Sequence, residues 1–290
     1  MCSPVRQCLF VKTLVGYSGC GLQLYRTETA SFVRKSAGSA AYTARLKAQC
    51  FKQMEFAAAH IHTPKVLCTG DVDGRFYFDM QFIQGGTLAE RIACMSVLDV
   101  TEIVGLVCKT LWATQCQTVT DAPTIFMKKI EELQEFRHWP NFIADAFYLL
   151  REFDWRNVHR SSCHGDLTLE NILVTPQKDV YFIDFLDSFY DSWMMDAAKL
   201  LQDLELGWSF RAQLPDAVRS VRLLVAKEVL LKEIERAGGG AKALCTIYHL
   251  LLLNVLRIYP YAQDESTLYF LDCSVKKVMA ILRAKFMEAI

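Results

Sequence analysis

From Leu9 to Phe82, apolar and polar residues alternate in short runs bounded by turn residues, with one helical stretch among them. Beyond Thr87 the apolar repeat lengthens to that of helices. Leu9–Val15, Leu22–Thr27 and Ser31–Lys35 read as strands, with the glycine-rich turn Gly16–Gly21 after the first. Ala41–Ala59 has helical spacing in Leu46, Cys50, Met54 and Ala57, and Pro64 lies past its end. Lys65–Thr69 and Arg75–Phe82 are two further strands joined through Asp71–Gly74.

Gln84-Gly-Gly-Thr87 is the natural linker, because paired glycines stop a strand and let the chain bend. Helical patterns follow over 88–116, 124–137, 141–156, 192–206, 216–236, 241–257 and 265–289, interrupted by a β-type segment at 172–184. The expected class is α+β: a small antiparallel-sheet lobe with one helix over 1–83, a hinge at 84–87, and a larger, mainly helical lobe over 88–290. Nucleotide sites commonly form in clefts between such lobes.

Composition narrows this picture. The 290 residues are 52% apolar and 22% charged, as in a globular protein, and the formal net charge is zero. Neither a nucleic-acid nor a membrane partner is expected. Residues 1–80 hold 10 Lys/Arg and 5 Asp/Glu, a small basic excess that suits a polyanion such as ATP. The 11 cysteines are scattered and form no C-x-x-C pair, which argues for reduced thiols and a cytoplasmic protein. Cys245–Leu256, the most apolar run, contains His249 and Asn254 and reads as a buried helix too short to span a bilayer.

The chemistry concentrates in Cys163-His-Gly-Asp-Leu-Thr-Leu-Glu-Asn-Ile-Leu-Val174. Asp166 and Asn171 share a loop before a strand, and a second strand, Val180–Ile183, ends in Asp184. A hairpin turn over Thr175–Asp179 would bring Asn171 and Asp184 close together. Magnesium takes hard oxygen ligands, only one or two of them from protein when phosphates supply the rest, and Asn171 with Asp184 meets that need. A carboxylate must orient an acceptor hydroxyl and take its proton, and Asp166 is placed for this.

This pattern, H-G-D-x-x-x-x-N-I-L followed by I-D, resembles the catalytic loop of the aminoglycoside phosphotransferase and choline kinase superfamily, a branch of the protein-kinase-like fold. The resemblance is strong over residues 163–204 and topological elsewhere. It implies Asp166 as catalytic base, His164 as an orienting residue, Asn171 and Asp184 as Mg2+ ligands, and ATP as phosphate donor. Thr168 stands where Ser/Thr protein kinases usually carry lysine, and Asp184-Phe-Leu lacks the glycine of D-F-G; both favour a small-molecule acceptor. In the family an aspartate at the place of Asp196 bonds back to the loop; a helix N-terminal acid is the alternative.

The nucleotide-holding half is read against the same resemblance. Val33-Arg-Lys35 is similar to the V-x-K of kinase-like folds, with Arg34 on the opposite strand face. Glu55, the only acidic residue between Lys35 and Asp71, is the expected partner of Lys35; pairing with Lys52 or Arg45 is the alternative. The turn containing Gly19 would cover phosphates, and Gln81 and Ile83 would meet adenine through their backbones. His60 and His62 read as an end-of-helix pair. Trp193, Trp208, Tyr259 and Tyr261 read as core, and Asp187, Asp191, Asp203, Glu205, Asp264 and Glu265 as solvated. The expected function is transfer of the ATP γ-phosphoryl group to a hydroxyl of a small molecule such as a sugar, amino sugar or amino alcohol. A protein kinase or a regulatory ATP-binding pseudokinase is the alternative. Nothing in the sequence names the acceptor or the oligomeric state.

Overall fold

The computed structural model describes residues 8–14, 19–113, 121–136 and 138–287. The chain forms two compact units: 1–86 with 171–187, and 87–170 with 188–290. The expected division into 1–83 and 88–290 misses that the segment carrying Asn171 and Asp184 groups with the first unit.

In the first unit, β1 (Leu9–Leu14), β2 (Cys20–Arg26), β3 (Ser31–Ala37), β4 (Val66–Val72) and β5 (Arg75–Gln81) form an antiparallel sheet in the order β1-β2-β3-β5-β4. Helix α1 (Thr43–Glu55) packs on β3 and β5. Val33, Lys35 and Ala37 alternate inward along β3, and the core joins Leu24, Val33, Leu46, Cys50, Phe76, Phe78 and Met80. The buried face of α1 is Leu46, Gln49, Cys50 and Gln53, spaced i, i+3, i+4, i+7. The expected face included Met54, which is 58% exposed, and Ala57, which lies beyond the end of the helix.

After the short β6 (Gly86–Thr87), strands β7 (Ile172–Val174) and β8 (Val180–Phe182) form the expected hairpin. Its place in the first unit has a concrete cause. His62 donates its N–H to the Val180 carbonyl and accepts from Phe182 N–H, both at 2.9 Å. The Phe56 ring packs on Phe182 and Phe185, with centroids 5.6 and 5.3 Å away. His62 therefore staples the hairpin and, seven residues past the end of α1, is not the end-of-helix residue expected. At Gly85 a Cβ would sit 2.7 Å from the Val174 carbonyl oxygen, so glycine is needed there for close approach.

The second unit is helical: α2 (Leu88–Arg91), α3 (Val97–Ala113), α4 (Ala122–Gln134), α5 (Ile143–Glu152), α6 (Trp193–Leu204), α7 (Ala217–Ile234), α8 (Gly240–Leu256) and α9 (Glu265–Leu282). The helix expected over 88–116 is broken at Met95-Ser96. Thr87 and Glu90 make a capping box at α2, and Ser96 Oγ accepts the Asp99 N–H at 3.0 Å, starting α3 anew. Residues 15–18, 114–116, 137 and 288–289 of the expected elements lie outside the described residues. Helix α3 packs on α7, and α8 packs on α6 and α9. Gly240–Tyr261 is long and apolar enough to cross a membrane, more than the sequence run suggested, but 67% of its most apolar 18-residue stretch is buried within the protein, as in a core helix.

His249 on α8 stacks on Phe153 at 3.9 Å between ring centroids. Burial pushes its imidazole down to about 4, against a partial offset from the Cys245 carbonyl. Its folded pKa thus lies below the ordinary unfolded value near 6.5. Above that value it is neutral in both states and contributes no pH dependence. As pH falls from about 6.5 towards 4, the unfolded chain takes up a proton that the folded chain refuses. Stability should decline across this window by roughly 3 kcal/mol, and His249→Gln should flatten the decline in urea unfolding followed against pH. Gly85→Ala should cost about 1–3 kcal/mol by the same measurement. Gly105→Ala, on α3 with open space around it, should be neutral or slightly stabilising.

Candidate active site

Two groups of functional side chains are assembled, one in each unit. In the first, the strand period of two separates Lys35 from Arg34. Arg34 lies on the outer face, opposite Asp79 in the register, and holds that carboxylate with two bonds of 2.7 and 2.9 Å. Lys35 points into the unit and is 2% exposed. Its ammonium binds Gln49 Oε1 at 3.0 Å and forms an ion pair with Asp184. The expected pair with Glu55 is not made. Glu55 is the last residue of α1 and is exposed. Six positions from Gln49, it points about 120° away from the helix face that meets the sheet. The residue that faces Lys35 from α1 is Gln49, and the carboxylate comes from the hairpin. The spacing of Gln49 with Leu46, Cys50 and Gln53 was the signal for this.

The hairpin brings Asn171 and Asp184 to one end, as expected. Ile172 is opposite Phe182, and the Ile183 N–H donates to the Asn171 carbonyl at 3.0 Å. Asp184 has φ 60°, a left-handed conformation that a short polar side chain tolerates. The Asn171 side-chain oxygen and the Asp184 carboxylate are hard donors of the kind magnesium takes, and two protein ligands fit an ion otherwise bound by phosphate and water.

The other expected nucleotide contacts are less uniform. The Gly19 carbonyl accepts the Gly38 N–H at 3.0 Å, which fixes that end of the turn against β3, while 16–18 lie outside the described residues. The Gln81 N–H is already used within the sheet, donating to the Lys65 carbonyl at 2.9 Å, so Gln81 cannot offer it to a base. Ile83 lies past the end of β5, where the backbone has left the strand.

In the second unit the loop Cys163–Glu170 is held by side chains from α6 and its N-terminal approach. Asp191 accepts from the Cys163 thiol at 3.2 Å and from Ser188 at 2.5 Å. Asp196 accepts the N–H groups of His164 at 2.6 Å and Gly165 at 2.8 Å. Asp203 accepts those of Leu169 at 2.6 Å and Ser209 at 2.8 Å. Asp196 and Asp203 are both fully buried. Asp196 thus bonds back to the loop, one of its two expected roles, while Asp203 was misread as solvated. Glu205 is half-buried, its side chain enclosed between Lys227 at 3.1 Å and Lys277 at 2.8 Å. Seven residues, close to two helical turns, separate Asp196 from Asp203; that spacing was visible in the sequence and carried the signal.

Gly165 has φ 93°, which lets two successive N–H groups turn to one carboxylate. His164 is fully buried, and its Nδ1 accepts the Asp166 N–H at 3.2 Å. Lys199 of α6 lies 3.0 Å from Asp166 Oδ1. Burial pushes the Asp166 carboxyl up, but Lys199, with help from His164 and Arg257, outweighs it and holds the group below the usual carboxylate range. Burial pushes Asp203 up, against the pull of its backbone partners.

Of the four aromatic residues read as core, three pack against other rings and Tyr261 does not belong to the core. Trp193 packs edge-on to Trp112, Trp208 meets Phe270, and Tyr259 packs on Trp139 and donates to Asp272, whereas Tyr261 is 82% exposed.

Residues 22–224 match the profile of the phosphotransferase enzyme family. No curated protein sequence matches the chain. Among solved structures, a thermostable mutant of aminoglycoside phosphotransferase APH(4)-Ia, in complex with AMP-PNP and hygromycin B, is 13% identical with a TM-score of 0.63, covering 95% of this chain and 93% of that one. An ethanolamine kinase of Plasmodium vivax is 14% identical with a TM-score of 0.54, covering 98% and 86%. An aminoglycoside-3'-phosphotransferase of type VIII is 18% identical with a TM-score of 0.53, covering 93% of each chain. These likenesses establish the protein-kinase-like fold.

The bracing of the loop should be measurable without any ligand. Asp196→Asn turns an amide N–H towards backbone N–H groups and should cost about 2 kcal/mol in urea unfolding. Asp187→Asn, at an exposed position, should stay within about 0.5 kcal/mol of the parent.

Proposed function

The chain belongs to the phosphotransferase enzyme family, and from that premise we propose that it transfers the γ-phosphoryl group of ATP to a hydroxyl of a small molecule such as a sugar, amino sugar or amino alcohol. The observation that carries this reading is the hairpin end that presents Asn171 and Asp184 together, with the buried Lys35 against Asp184. A cation beside two hard oxygen donors is what a magnesium–nucleotide phosphate chain requires. ATP is favoured as donor because two structures of one similar protein hold adenine nucleotides: mutants of aminoglycoside phosphotransferase APH(4)-Ia bound to ADP and to AMP-PNP.

Lys35 would bind the phosphates that remain on the leaving nucleotide. Asn171 and Asp184 would hold Mg2+, which would supply positive charge to the phosphates. Asp166 would accept a hydrogen bond from the acceptor hydroxyl and orient its oxygen towards the γ-phosphorus. The new oxygen–phosphorus bond forms as the bond to the ADP oxygen breaks, ADP leaves with that electron pair, and the hydroxyl proton passes to Asp166. In a loose transition state the hydroxyl proton is lost late, so a carboxylate with a lowered pKa suffices. His164 would keep the loop in register with Asp166 through its ring nitrogen.

A small-molecule acceptor is favoured over protein by Thr168 in the loop and by Leu186 after Asp184-Phe. We place the enzyme in the cytoplasm, acting without a nucleic-acid or membrane partner, on the same grounds of charge and cysteine usage.

Calorimetry with Mg-ATP and ADP release across a library of hydroxyl metabolites test the reading. Wild type should bind Mg-ATP and release ADP with at least one acceptor. Asp166→Asn should keep nucleotide affinity within a few-fold and lose on the order of 100-fold or more in kcat. Binding without turnover on any metabolite would indicate the pseudokinase alternative, and turnover only on protein would indicate a protein kinase.

A further inference from the structure

The loop contains no Lys or Arg between Arg160 and Lys178. Phosphoryl transfer nonetheless gathers negative charge near the acceptor oxygen. Thr168, on the loop itself, is buried, and its N–H is turned to the Asp166 carbonyl at 2.8 Å. The cation arrives instead from a helix. Lys199 lies three residues after Asp196 and four before Asp203, on the one face of α6 that meets the loop. Its ammonium is 3.0 Å from Asp166 Oδ1, with its side chain 14% exposed against 32% for Asp166. Gln202 Oε1 accepts a second, longer bond from it at 3.4 Å.

We propose that Lys199 is a positioning residue for the transfer reaction, fixing the Asp166 carboxylate from α6 and supplying the positive charge that the loop lacks. This rests on the phosphotransfer reading above. A lysine on a helix would ordinarily extend into water, because ordering its long side chain and desolvating its charge both cost free energy. The cost is offset here by the Asp166 carboxylate.

A plain structural ion pair is the competing explanation, and the geometry separates the two. Asp196 and Asp203 already hold the backbone of the loop on both sides of Asp166, through His164, Gly165 and Leu169. Lys199 meets the side chain of Asp166, so its ion pair adds orientation and charge where the backbone is already fixed. Other groups that act on Asp166 include His164 on the loop and Arg257 at the end of α8. Glu170 on the loop and Asp203 on α6 oppose them with negative charge.

The test compares the full-length wild type with Lys199→Met, which keeps the length of the stem, and Lys199→Arg, which keeps the charge. ADP release is measured with Mg-ATP and water as acceptor, over a range of pH. The Asp166 carboxyl is followed separately by carbon NMR, assigned by its loss in Asp166→Asn. Lys199→Met should lower kcat on the order of 100-fold with KM for ATP within a few-fold. The acid limb of its kcat profile and the Asp166 titration should both move up by about one pH unit. Lys199→Arg should recover at least a tenfold part of the loss. An active wild type in which Lys199→Met leaves kcat and the Asp166 titration unmoved would overturn the assignment of Lys199 alone. So would a loss of activity that only follows a loss of folded protein, seen as a fall in the thermal midpoint with the Asp166 titration unchanged. A wild type with no Asp166-dependent ADP release would instead overturn the phosphotransfer reading, and the role of Lys199 in catalysis with it.

Discussion

Two buried carboxylates on one helix set the shape of the loop on which the chemistry depends. Asp196 and Asp203 are fully enclosed, and a buried charge is tolerated only where hydrogen-bond donors meet it. The donors are backbone N–H groups of an irregular loop, which need acceptors just as strictly. Each requirement answers the other. The acids cannot stay buried without the N–H groups of His164, Gly165 and Leu169, and those groups cannot be buried without the acids. The rest follows from helix geometry. Positions i and i+7 lie on the same face two turns apart, so α6 clamps the loop at two points. The left-handed turn at Gly165 then directs adjacent N–H groups to one carboxylate.

The first unit meets a comparable problem with the opposite sign. Lys35 is enclosed on the inner face of a strand, and a desolvated ammonium is costly without a partner. One carboxylate, from Asp184, balances its charge, and the neutral Gln49 accepts a further hydrogen bond. A glutamate in place of Gln49 would add a second negative charge beside a single cation. The amide of Gln49 satisfies the donor without that excess. The carboxylate partner of Lys35 therefore lies 149 residues away along the chain rather than on the neighbouring helix.

Much of this was legible in the sequence, and the division is physical. Lys35 could be chosen over Arg34 because strand alternation is local, and Asn171 could be joined to Asp184 because a short hairpin is local. The H-G-D-x-x-x-x-N spacing identified the loop. Long-range choices were harder. Glu55 was selected because it is the only nearby acid, a criterion that counts residues but ignores which way the helix turns them. Asp203 was read as solvated because an acid on a helix usually is, yet its distance from Asp196 along α6 was the better guide. The attachment of 171–187 to the first unit depends on His62 and Phe56, whose role as a staple no motif announces.

The two carboxylates of chemical interest are held in the same manner in the two units. Asp184 is paired with a lysine whose side chain is 3% exposed while its own is 36% exposed. Asp166 is paired with a lysine at 14% while its own exposure is 32%. In each pair the cation is the enclosed member and the acid the accessible one. The asymmetry has a consequence. A buried ammonium has few other ways to be solvated, so it constrains the carboxylate strongly, yet the carboxylate keeps a face towards water where a metal or a hydroxyl can reach it. The reverse arrangement would leave the acid sequestered and the cation mobile, which is how Glu205 stands between Lys227 and Lys277. There the acid is 6% exposed and its partners 20% and 50%, the pattern of a pair that holds helices together rather than one that presents a reactive group.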